Sequence, residues 1–257
     1  MSPIEQTQNS LNNLIRQCTT GDAQAIVTAS SDLSRALGQM RANDLISSTL
    51  VGRNNPIIFD VGANEGVLTE LYRQQFPTAI IHAFEPHPQA YKILQDKFVN
   101  DPNIFTNNFG IADAPDILLF NLANQSGSSS FLPFSDDSPY VRGTGVSTVD
   151  SMKIDVTCID SYCEKNNIDH IDFMKLDVQG FEPKVILGAS NMLARKSINA
   201  IQTEIVFRDF YKSASSFLDI EQHLIMHGFT LRCIYDIYPA EGAQIFQCDA
   251  IYTLKTL

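Results

Sequence analysis

Residues 57–66 read Ile-Ile-Phe-Asp-Val-Gly-Ala-Asn-Glu-Gly, and they join a strand pattern to a helix pattern. The apolar run at 57–61 predicts a buried strand, and apolar residues at helical spacing predict a helix over 66–76. Glycine in the connecting turn permits tight dihedral angles and lets a ligand approach the main chain closely. Such a turn is typical of an open α/β sheet, which binds ligands at the carboxyl ends of its strands.

The same alternation of strands and helices continues along the chain. Further strands are predicted at 79–84, 104–111, 117–122, 171–177, 200–206, 229–235 and 244–254. Helices are predicted at 88–98, 160–166, 182–193 and 217–227. Apolar strands that alternate with amphipathic helices predict a parallel α/β sheet with helices on both faces, and the last two strands are expected to form a closing hairpin.

Two segments depart from this alternation. Residues 1–52 are polar with sparse apolar stripes, which predicts an N-terminal helical extension of two or three modest helices before a main domain at 53–257. Residues 124–150 are rich in Ser, Gly, Asp and Pro, and a loop of this length is usually functional or disordered. We predict a lid or substrate loop there, whose aromatic residues either contact an acceptor or anchor the loop: Phe131, Phe134 and Tyr140.

Composition narrows the classes of partner. The 257 residues carry a formal net charge of -11, which disfavours a nucleic-acid partner because phosphate backbones would be repelled. The five cysteines include no CxxC pair, so neither a disulfide framework nor a zinc cluster is expected, and a cytoplasmic location is the natural interpretation. No segment approaches the roughly 20 apolar residues that a membrane span requires.

The turn after the first strand carries the pattern Asp60-x-Gly62-x-Asn64-x-Gly66, and Glu85 ends the second strand. A carboxylate at that position can accept hydrogen bonds from both ribose hydroxyls of a nucleoside. Dinucleotide enzymes instead use GxGxxG and admit a pyrophosphate. Because Asp60 would repel a pyrophosphate and suits a cationic amino-acid group, S-adenosylmethionine is favoured over NAD, and a purely structural turn is the remaining alternative.

Five blocks in order resemble one known family: FDVGANEG at 59–66, AFEPHP at 83–88, FGIAD at 109–113, IDFMKLDVQGFEPKVILGA at 171–189 and QTEI at 202–205. Over about residues 56–206 the chain resembles the FkbM-type methyltransferases, which are class I enzymes. The resemblance implies a Rossmann-like, doubly wound, mostly parallel seven-stranded sheet with an antiparallel last strand. It also implies S-adenosylmethionine as the methyl donor and a hydroxylated acceptor such as a sugar or specialised metabolite.

The resemblance also implies roles for individual residues. The methionine moiety would be surrounded by Asp60, Gly62, Asn64 and Gly66, the ribose held by Glu85 with Pro86 shaping the turn, and the adenine flanked by the Gly110–Ile111 backbone and Asp113. Asp177 would face the methyl group. Many family members have DVEG where this chain has Asp177-Val178-Gln179-Gly180, and we assign Gln179 no catalytic role because an amide cannot act as a base.

An alcohol acceptor must lose a proton, so a general base is useful. We predict Asp177 as the base, with Lys175 and Glu204 as second candidates; the alternative is that Lys175 and Glu204 form a structural ion pair. Asp177 and Glu204 could also bind a divalent cation, but no third ligand is evident, so no metal is predicted. His223 and His227 lie four residues apart without the further ligand that zinc requires.

Three functions therefore remain open at this point. The first is an O-methyltransferase that acts on a small hydroxylated acceptor, the second an NAD-dependent oxidoreductase, and the third a non-catalytic nucleotide-binding protein. The N-terminal helices could cover the cofactor, complete the acceptor pocket or form a homodimer.

Overall fold

The computed structural model describes residues 3–207, 210–214, 217–239 and 245–255. Within them, the central sheet consists of strands β1 (Ile57–Val61), β2 (Ile80–Phe84), β3 (Ile104–Asn107), β7 (Ile171–Leu176), β8 (Ile198–Val206), β9 (Phe229–Pro239) and β10 (Ile245–Leu254). Their order is β3-β2-β1-β7-β8-β10-β9. The neighbouring pairs β3–β2, β2–β1, β1–β7 and β7–β8 are parallel, and β10 is antiparallel to both β8 and β9. The predicted fold class, its antiparallel last strand and the closing hairpin are confirmed.

Helices cover both faces of this sheet. The described helices are α1 (Pro3–Thr20), α2 (Ala23–Leu50), α3 (Val67–Gln75), α4 (Pro88–Phe98), α5 (Pro139–Thr144), α6 (Ile159–Asn166), α7 (Glu182–Leu187), α8 (Ser190–Ala194) and α9 (Phe217–Met226). One apolar core joins α2, α3 and α4 to one face, and a second core joins α6 to α9 to the other face. None of the described helices has the length and apolar character that a bilayer crossing would need.

The N-terminal segment forms two helices, and the longer one is part of the main core. Asp22 caps α2 by accepting hydrogen bonds from the backbone N–H groups of the first turn. Ala42, Ile46 and Leu50 of α2 are buried against the sheet. Residues 23–50 therefore complete one helical layer, rather than standing apart from the sheet.

The predicted third strand, 104–111, is two strands in the structure. Residues 104–107 form β3, and β4 (Gly110–Ile111) pairs with β6 (Thr148–Thr157) in a second, three-stranded sheet. The chain leaves the central sheet at two asparagines, because the side-chain amides of Asn107 and Asn108 donate to the backbone oxygens of Ala83 and Glu85.

The predicted loop 124–150 is shorter and more ordered than expected. Strand β6 begins inside it at Thr148 and pairs antiparallel with β5 (Asp116–Ala123). The remaining segment contains a 3-10 turn at Ser126–Ser128 and helix α5. Most side chains of β6 are exposed, and its first four residues give no apolar pattern. Met152, Ile154 and Val156 do alternate with polar residues in its second half, a period of two that the sequence interpretation overlooked.

The predicted helix 182–193 is also divided. It forms α7 and α8, and Gly188 lies between them. A Cβ atom at Gly188 would lie 2.1 Å from the carbonyl oxygen of Ala112. Glycine therefore lets the junction between α7 and α8 pack directly against the backbone that follows β4.

Candidate active site

A cleft opens at the carboxyl ends of β1, β2 and β7, where an open α/β sheet is expected to bind a ligand. This edge cleft encloses about 590 Å³ of empty space, part of it open to solvent. Its lining includes the predicted residues Gly62, Asn64, Glu85, Pro86, Gly110, Ile111 and Asp177, together with Phe109, Gly127, Phe131 and Gln179. Seven residues that are distant in sequence and were predicted for one cofactor therefore share one cleft.

Glu85 is a buried carboxylate that the backbone holds in place. Its two oxygens accept hydrogen bonds from the N–H groups of Asn64 and His87, each at 2.7 Å. Burial raises the pKa of Glu85 to about 7, although its backbone donors and the charge of Lys175 act in the opposite direction. Each oxygen keeps lone-pair capacity for a further donor, so the group is suited to bind a pair of hydroxyls.

The glycine turn brings β1 close to the turn that follows β7. Gly62 has a φ of +82°, and a Cβ atom there would lie 1.9 Å from the carbonyl oxygen of Asp177. Asn64 adopts a left-handed conformation with a φ of 48°. Gly66 has another role, since its Cα faces the side chains of Leu94 and Phe98 on α4. Gly66 thus lets two helices pack and is not among the residues that line the cleft.

Asp60 lies beneath the edge cleft, not in its wall. It is fully buried, and its Oδ2 accepts a hydrogen bond from the Thr69 hydroxyl at 2.6 Å. Its Oδ1 lies 3.6 Å from Nζ of Lys175 and has no hydrogen-bond partner. Direct contact between Asp60 and the methionine moiety stays a prediction, and the contacts observed are with Thr69 and Lys175.

Lys175 joins the glycine turn to Asp177. It is buried, and its Nζ lies 3.3 Å from Oδ2 of Asp177 and donates to the Gly62 carbonyl at 3.1 Å. Burial alone would lower the pKa of Lys175, but the charges of Asp177 and Asp60 outweigh it and raise the pKa above its ordinary value. Lys175 is therefore a cation that positions its neighbours. The predicted alternative, an ion pair between Lys175 and Glu204, is not formed.

Gln179 connects the groups that the sequence placed near the methyl end. Its Nε2 donates to Oδ1 of Asp177 at 2.8 Å and to Oε2 of Glu204 at 3.0 Å. Its Oε1 accepts from the Tyr211 hydroxyl at 2.8 Å. The sequence interpretation missed this residue because it asked only whether residue 179 could be a base, and a bridging amide is recognised only when both carboxylates are located.

A second cavity adjoins the edge cleft, and the two share Gly127 and Gln179. This adjacent cavity encloses about 680 Å³ of empty space, part of it open, and its lining includes Gln125, Ser128, Glu204, Phe210, Tyr211, Phe246 and Gln247. Oε1 of Glu204 accepts a hydrogen bond from Nε2 of Gln247 at 3.0 Å. The pKa of Glu204 is raised well above its ordinary value by burial, then by Asp177, Glu182 and Asp249, against the charge of Lys175.

The aromatic residues of the 124–150 loop separate into different roles. Phe131 lines the edge cleft and packs against Phe120 and Phe181. Phe134 stacks on Tyr211 at a ring distance of 5.3 Å and is buried, so it anchors the loop. The side chain of Tyr140 lies outside the described residues.

Asp113 is placed away from the cleft lining. Its carboxylate lies 2.7 Å from Nζ of Lys184, and both side chains are more than two-fifths exposed. The hydrogen bond from Lys184 lowers the pKa of Asp113. Asp113 is therefore not among the residues that line the edge cleft, where the rings of Phe109 and Phe131 accompany Gly110 and Ile111. A contact between Asp113 and the adenine stays a prediction.

The described residues contain no group of three His, Cys, Asp or Glu side chains that could hold a metal ion. The two histidines of the predicted zinc alternative each place Nδ1 beside a backbone carbonyl of α9. These distances are 2.7 Å from His223 to Asp219 and 2.7 Å from His227 to His223.

The family model for the methyltransferase FkbM domain matches residues 60–232. The chain belongs to the FkbM methyltransferase family. This match extends from the glycine turn into the first residues of β9, so it includes the edge cleft and most of the adjacent cavity. As a family member, the protein is an S-adenosylmethionine-dependent methyltransferase, and the resemblance inferred from the sequence blocks is confirmed.

Named relatives agree with this assignment. The 2-O-methyltransferase NoeI of Sinorhizobium fredii is 23% identical over 202 residues, which are 75% of this chain and 74% of that protein. Methyltransferase sdnD of Sordaria araneosa is 29% identical over 52% of this chain and 61% of that protein. The hexuronic acid methyltransferase AglP of Haloferax volcanii is 30% identical over 58% of this chain and 55% of that protein. The chain thus spans between about half and three quarters of these relatives.

Solved structures with a similar arrangement include further methyltransferases. The putative methyltransferase SMU.1697c of Streptococcus mutans, in complex with SAH, has a TM-score of 0.47 at 13% identity, over 84% of this chain and 98% of that one. Aeropyrum pernix fibrillarin with bound S-adenosyl-L-methionine has a TM-score of 0.43 at 12% identity, over 84% and 74%.

The edge cleft of this FkbM methyltransferase fits the chemistry of S-adenosylmethionine. The Glu85 carboxylate is fixed by two backbone donors, which suits it to a pair of ribose hydroxyls, and Gly62 exposes its backbone without a Cβ atom. Apolar rings line the cleft beside Gly110 and Ile111, as an adenine requires.

We expect Glu85→Gln to weaken S-adenosylhomocysteine binding by about 1–3 kcal/mol, because the amide nitrogen would face a backbone N–H and lose an acceptor for a hydroxyl. Titration calorimetry measures this change. In the parent, affinity should rise as pH increases through about 7, where Glu85 becomes a carboxylate, and the variant should lose that dependence. Parent-like affinity in the variant would refute the ribose assignment.

Asp113→Asn provides the contrasting case. Because the Asp113–Lys184 pair is exposed and Asp113 is not among the residues that line the cleft, we expect S-adenosylhomocysteine affinity to change by less than about twofold. The same calorimetric titration applies. A loss of affinity as large as that in Glu85→Gln would instead support the contact between Asp113 and the adenine that the resemblance implies.

Proposed function

We propose that this methyltransferase transfers the methyl group to a hydroxyl oxygen of a small polyhydroxylated acceptor, such as a sugar or a hydroxylated specialised metabolite. The observation that carries this proposal is the junction of the edge cleft and the adjacent cavity at Gln179, with the buried carboxyl of Glu204 on the acceptor side. The two cavities provide separate places for donor and acceptor.

In this proposal the edge cleft holds S-adenosylmethionine. Gly62 and Asn64 would contact the methionine moiety, Glu85 the ribose, and Gly110 and Ile111 the adenine. Asp177 would lie near the methyl end, held there by Lys175 and Gln179. The bound donor supplies a methyl group on a sulfonium, which needs no further activation.

The protein must then place the acceptor oxygen and receive its proton. Methyl transfer is an in-line displacement, so the oxygen must approach from the side opposite the sulfur. The adjacent cavity offers that approach, and polar groups that could bind hydroxyls line it: Gln125, Glu204 and Gln247. Alignment of this kind can account for several kcal/mol of rate acceleration.

Glu204 is our preferred general base, in place of Asp177. Glu204 lines the adjacent cavity, and burial raises its pKa, which brings a carboxyl closer to the range where proton transfer is efficient. Asp177 lines the edge cleft and is engaged by Lys175 and Gln179. Lys175 stays protonated, so it positions Asp177 and the Gly62 carbonyl and does not accept a proton.

The relatives support a hydroxylated sugar as the acceptor class. One is described as a 2-O-methyltransferase and another as a hexuronic acid methyltransferase. The division of the chain at residue 52, a homodimer and a cytoplasmic location stay predictions, and for the first of these the burial of Ala42, Ile46 and Leu50 argues that residues 23–50 belong to the main domain.

The experiment is a transfer assay with S-adenosylmethionine labelled on the methyl group and four acceptor panels: neutral sugars, uronic acids, hydroxylated polyketides and primary amines. We expect label only in hydroxyl-bearing acceptors. Label only in amines would overturn the hydroxyl proposal. Tight NAD binding without S-adenosylhomocysteine binding would favour an oxidoreductase, and donor binding without transfer to any panel would favour a binding protein.

A further inference from the structure

We propose that Gln179 is a positioning residue for the transfer reaction: its amide nitrogen joins Asp177 to Glu204 and keeps the Glu204 carboxylate facing the acceptor. This inference rests on the proposed function, in which Glu204 receives the acceptor proton. It assigns a role to the residue at which this chain departs from the DVEG pattern of many family members.

The hydrogen bonds of Gln179 leave none of its side-chain polar atoms free. The two N–H bonds of its amide point to one carboxylate each, at 2.8 Å for Asp177 and 3.0 Å for Glu204. Its amide oxygen accepts from Tyr211. An amide nitrogen has two donors and no acceptor, so this orientation allows both carboxylates to be ionised at once.

The backbone at Gln179 is held in a conformation that favours glycine. Its φ is 58°, and the Ser130 hydroxyl donates to its carbonyl at 2.8 Å. Oε1 of Glu182 fixes the same turn by accepting from the N–H groups of Val178 and Gly180. A glutamine side chain at a strained position lining both cavities indicates that the side chain itself is needed.

Other charged groups around Glu204 act mainly against its ionised form. Five titratable groups face it: Asp177 after β7, Glu182 of α7, Asp249 of β10, Lys175 of β7 and Tyr211 after β8. Three of the five are carboxyls and one is a cation. The neutral amide of Gln179 therefore supplies a donor to the carboxylate of Glu204 in a predominantly acidic environment.

The test compares Gln179→Met and Gln179→Glu with the parent, and it uses Gln95→Met on the exposed face of α4 as the matched control. Methionine keeps the length of the side chain but donates nothing, so the acid limb of the kcat/KM profile should move up by about one pH unit. Gln179→Glu should move it further, because a third carboxyl would lie between two others. The control Gln95→Met should keep the pH profile, the S-adenosylhomocysteine affinity and the unfolding midpoint of the parent, because Gln95 is exposed and lines neither cavity.

A second readout does not require turnover. Glutamate labelled with ¹³C at the carboxyl carbon allows the titration of Glu204 to be followed by NMR, with Glu204→Gln identifying its resonance. We expect the midpoint to rise in Gln179→Met and to stay unchanged in Gln95→Met. Parent-like titration and an unshifted pH profile in both Gln179 variants would overturn the inference. The proposed function fails separately if the parent itself methylates no hydroxyl acceptor.

Discussion

Glu204→Gln should lower kcat by about 100-fold or more, the usual contribution of a positioned general base, while S-adenosylhomocysteine binds as in the parent. The substitution keeps the shape of the side chain and removes its ability to take a proton. Cofactor affinity should persist because Glu204 lines the adjacent cavity and is not among the residues that line the edge cleft. Steady-state kinetics and calorimetry on the same preparation test both statements.

Two further variants serve as a control and as a test of the alternative base. Glu164→Gln, on an exposed position of α6, makes the same chemical change away from both cavities and should leave kcat unchanged. Asp177→Asn should also reduce turnover with cofactor affinity largely kept, since it alters the partner of Lys175 and Gln179. If Glu204→Gln retains more than about a tenth of parental kcat and Asp177→Asn does not, Asp177 is the base.

Lys175→Met should lower the free energy of unfolding by about 3–5 kcal/mol, as expected when one partner of a buried charge pair is removed. Lys175 is 3% exposed and Asp60 is fully buried. Without the lysine, the Asp60 carboxylate would retain one hydrogen bond, from Thr69, and would have no cation within 4 Å among the described residues. Urea denaturation followed by circular dichroism measures the change.

The double variant Lys175→Met with Asp60→Asn separates charge from packing. Removing the orphaned carboxylate should restore part of the lost stability, because the buried side chains at positions 60 and 175 are then both neutral. Lys153→Met, at an exposed position of β6, is the matched control and should change the unfolding free energy by less than about 0.5 kcal/mol. Equal stability of the parent and Lys175→Met would contradict the interpretation of Lys175 as the cation that stabilises the buried Asp60 carboxylate.

The sequence predicted the central strands and the edge cleft well for a physical reason. Parallel strands that are covered on both faces are continuous apolar runs, and the predicted strand 57–61 coincides with β1. The predicted helix 88–98 coincides with α4, which begins with a proline in its first turn. The residues that would contact a ligand could then be inferred from their place at the carboxyl ends of these strands.

Pairing across the sheet was not predictable in the same way. Lys175 and Glu204 were placed near each other correctly, but register decides the partners. Lys175 lies opposite Asp60 on β1, whereas its partner on β8 is Gln202. Single-residue register cannot be read from apolar runs, so the sequence offered Lys175–Glu204 as the alternative ion pair and did not predict the Lys175–Asp60 contact that forms.

The packing of the long N-terminal helix α2 was also not predictable from the sequence. Leu33, Leu37 and Met40 lie at helical spacing and form one of the sparse apolar stripes in residues 1–52, but they are only half buried. Small residues of α2 make the close contacts instead. At Gly38 an added Cβ would lie 3.1 Å from the Cβ of Tyr235 on β9. Hydrophobicity does not reveal where a helix approaches a strand closely enough to require small side chains.

The most direct test of the two-cavity arrangement is a crystal structure with S-adenosylhomocysteine and a methylatable acceptor. We predict the ribose hydroxyls on Glu85, and the acceptor hydroxyl in the adjacent cavity within hydrogen-bond distance of Glu204, beside Gln179. An acceptor bound instead in the separate cleft between α2 and α3, which is lined by Gln39, Tyr72 and Gln202, would contradict the account, as would a ribose away from Glu85.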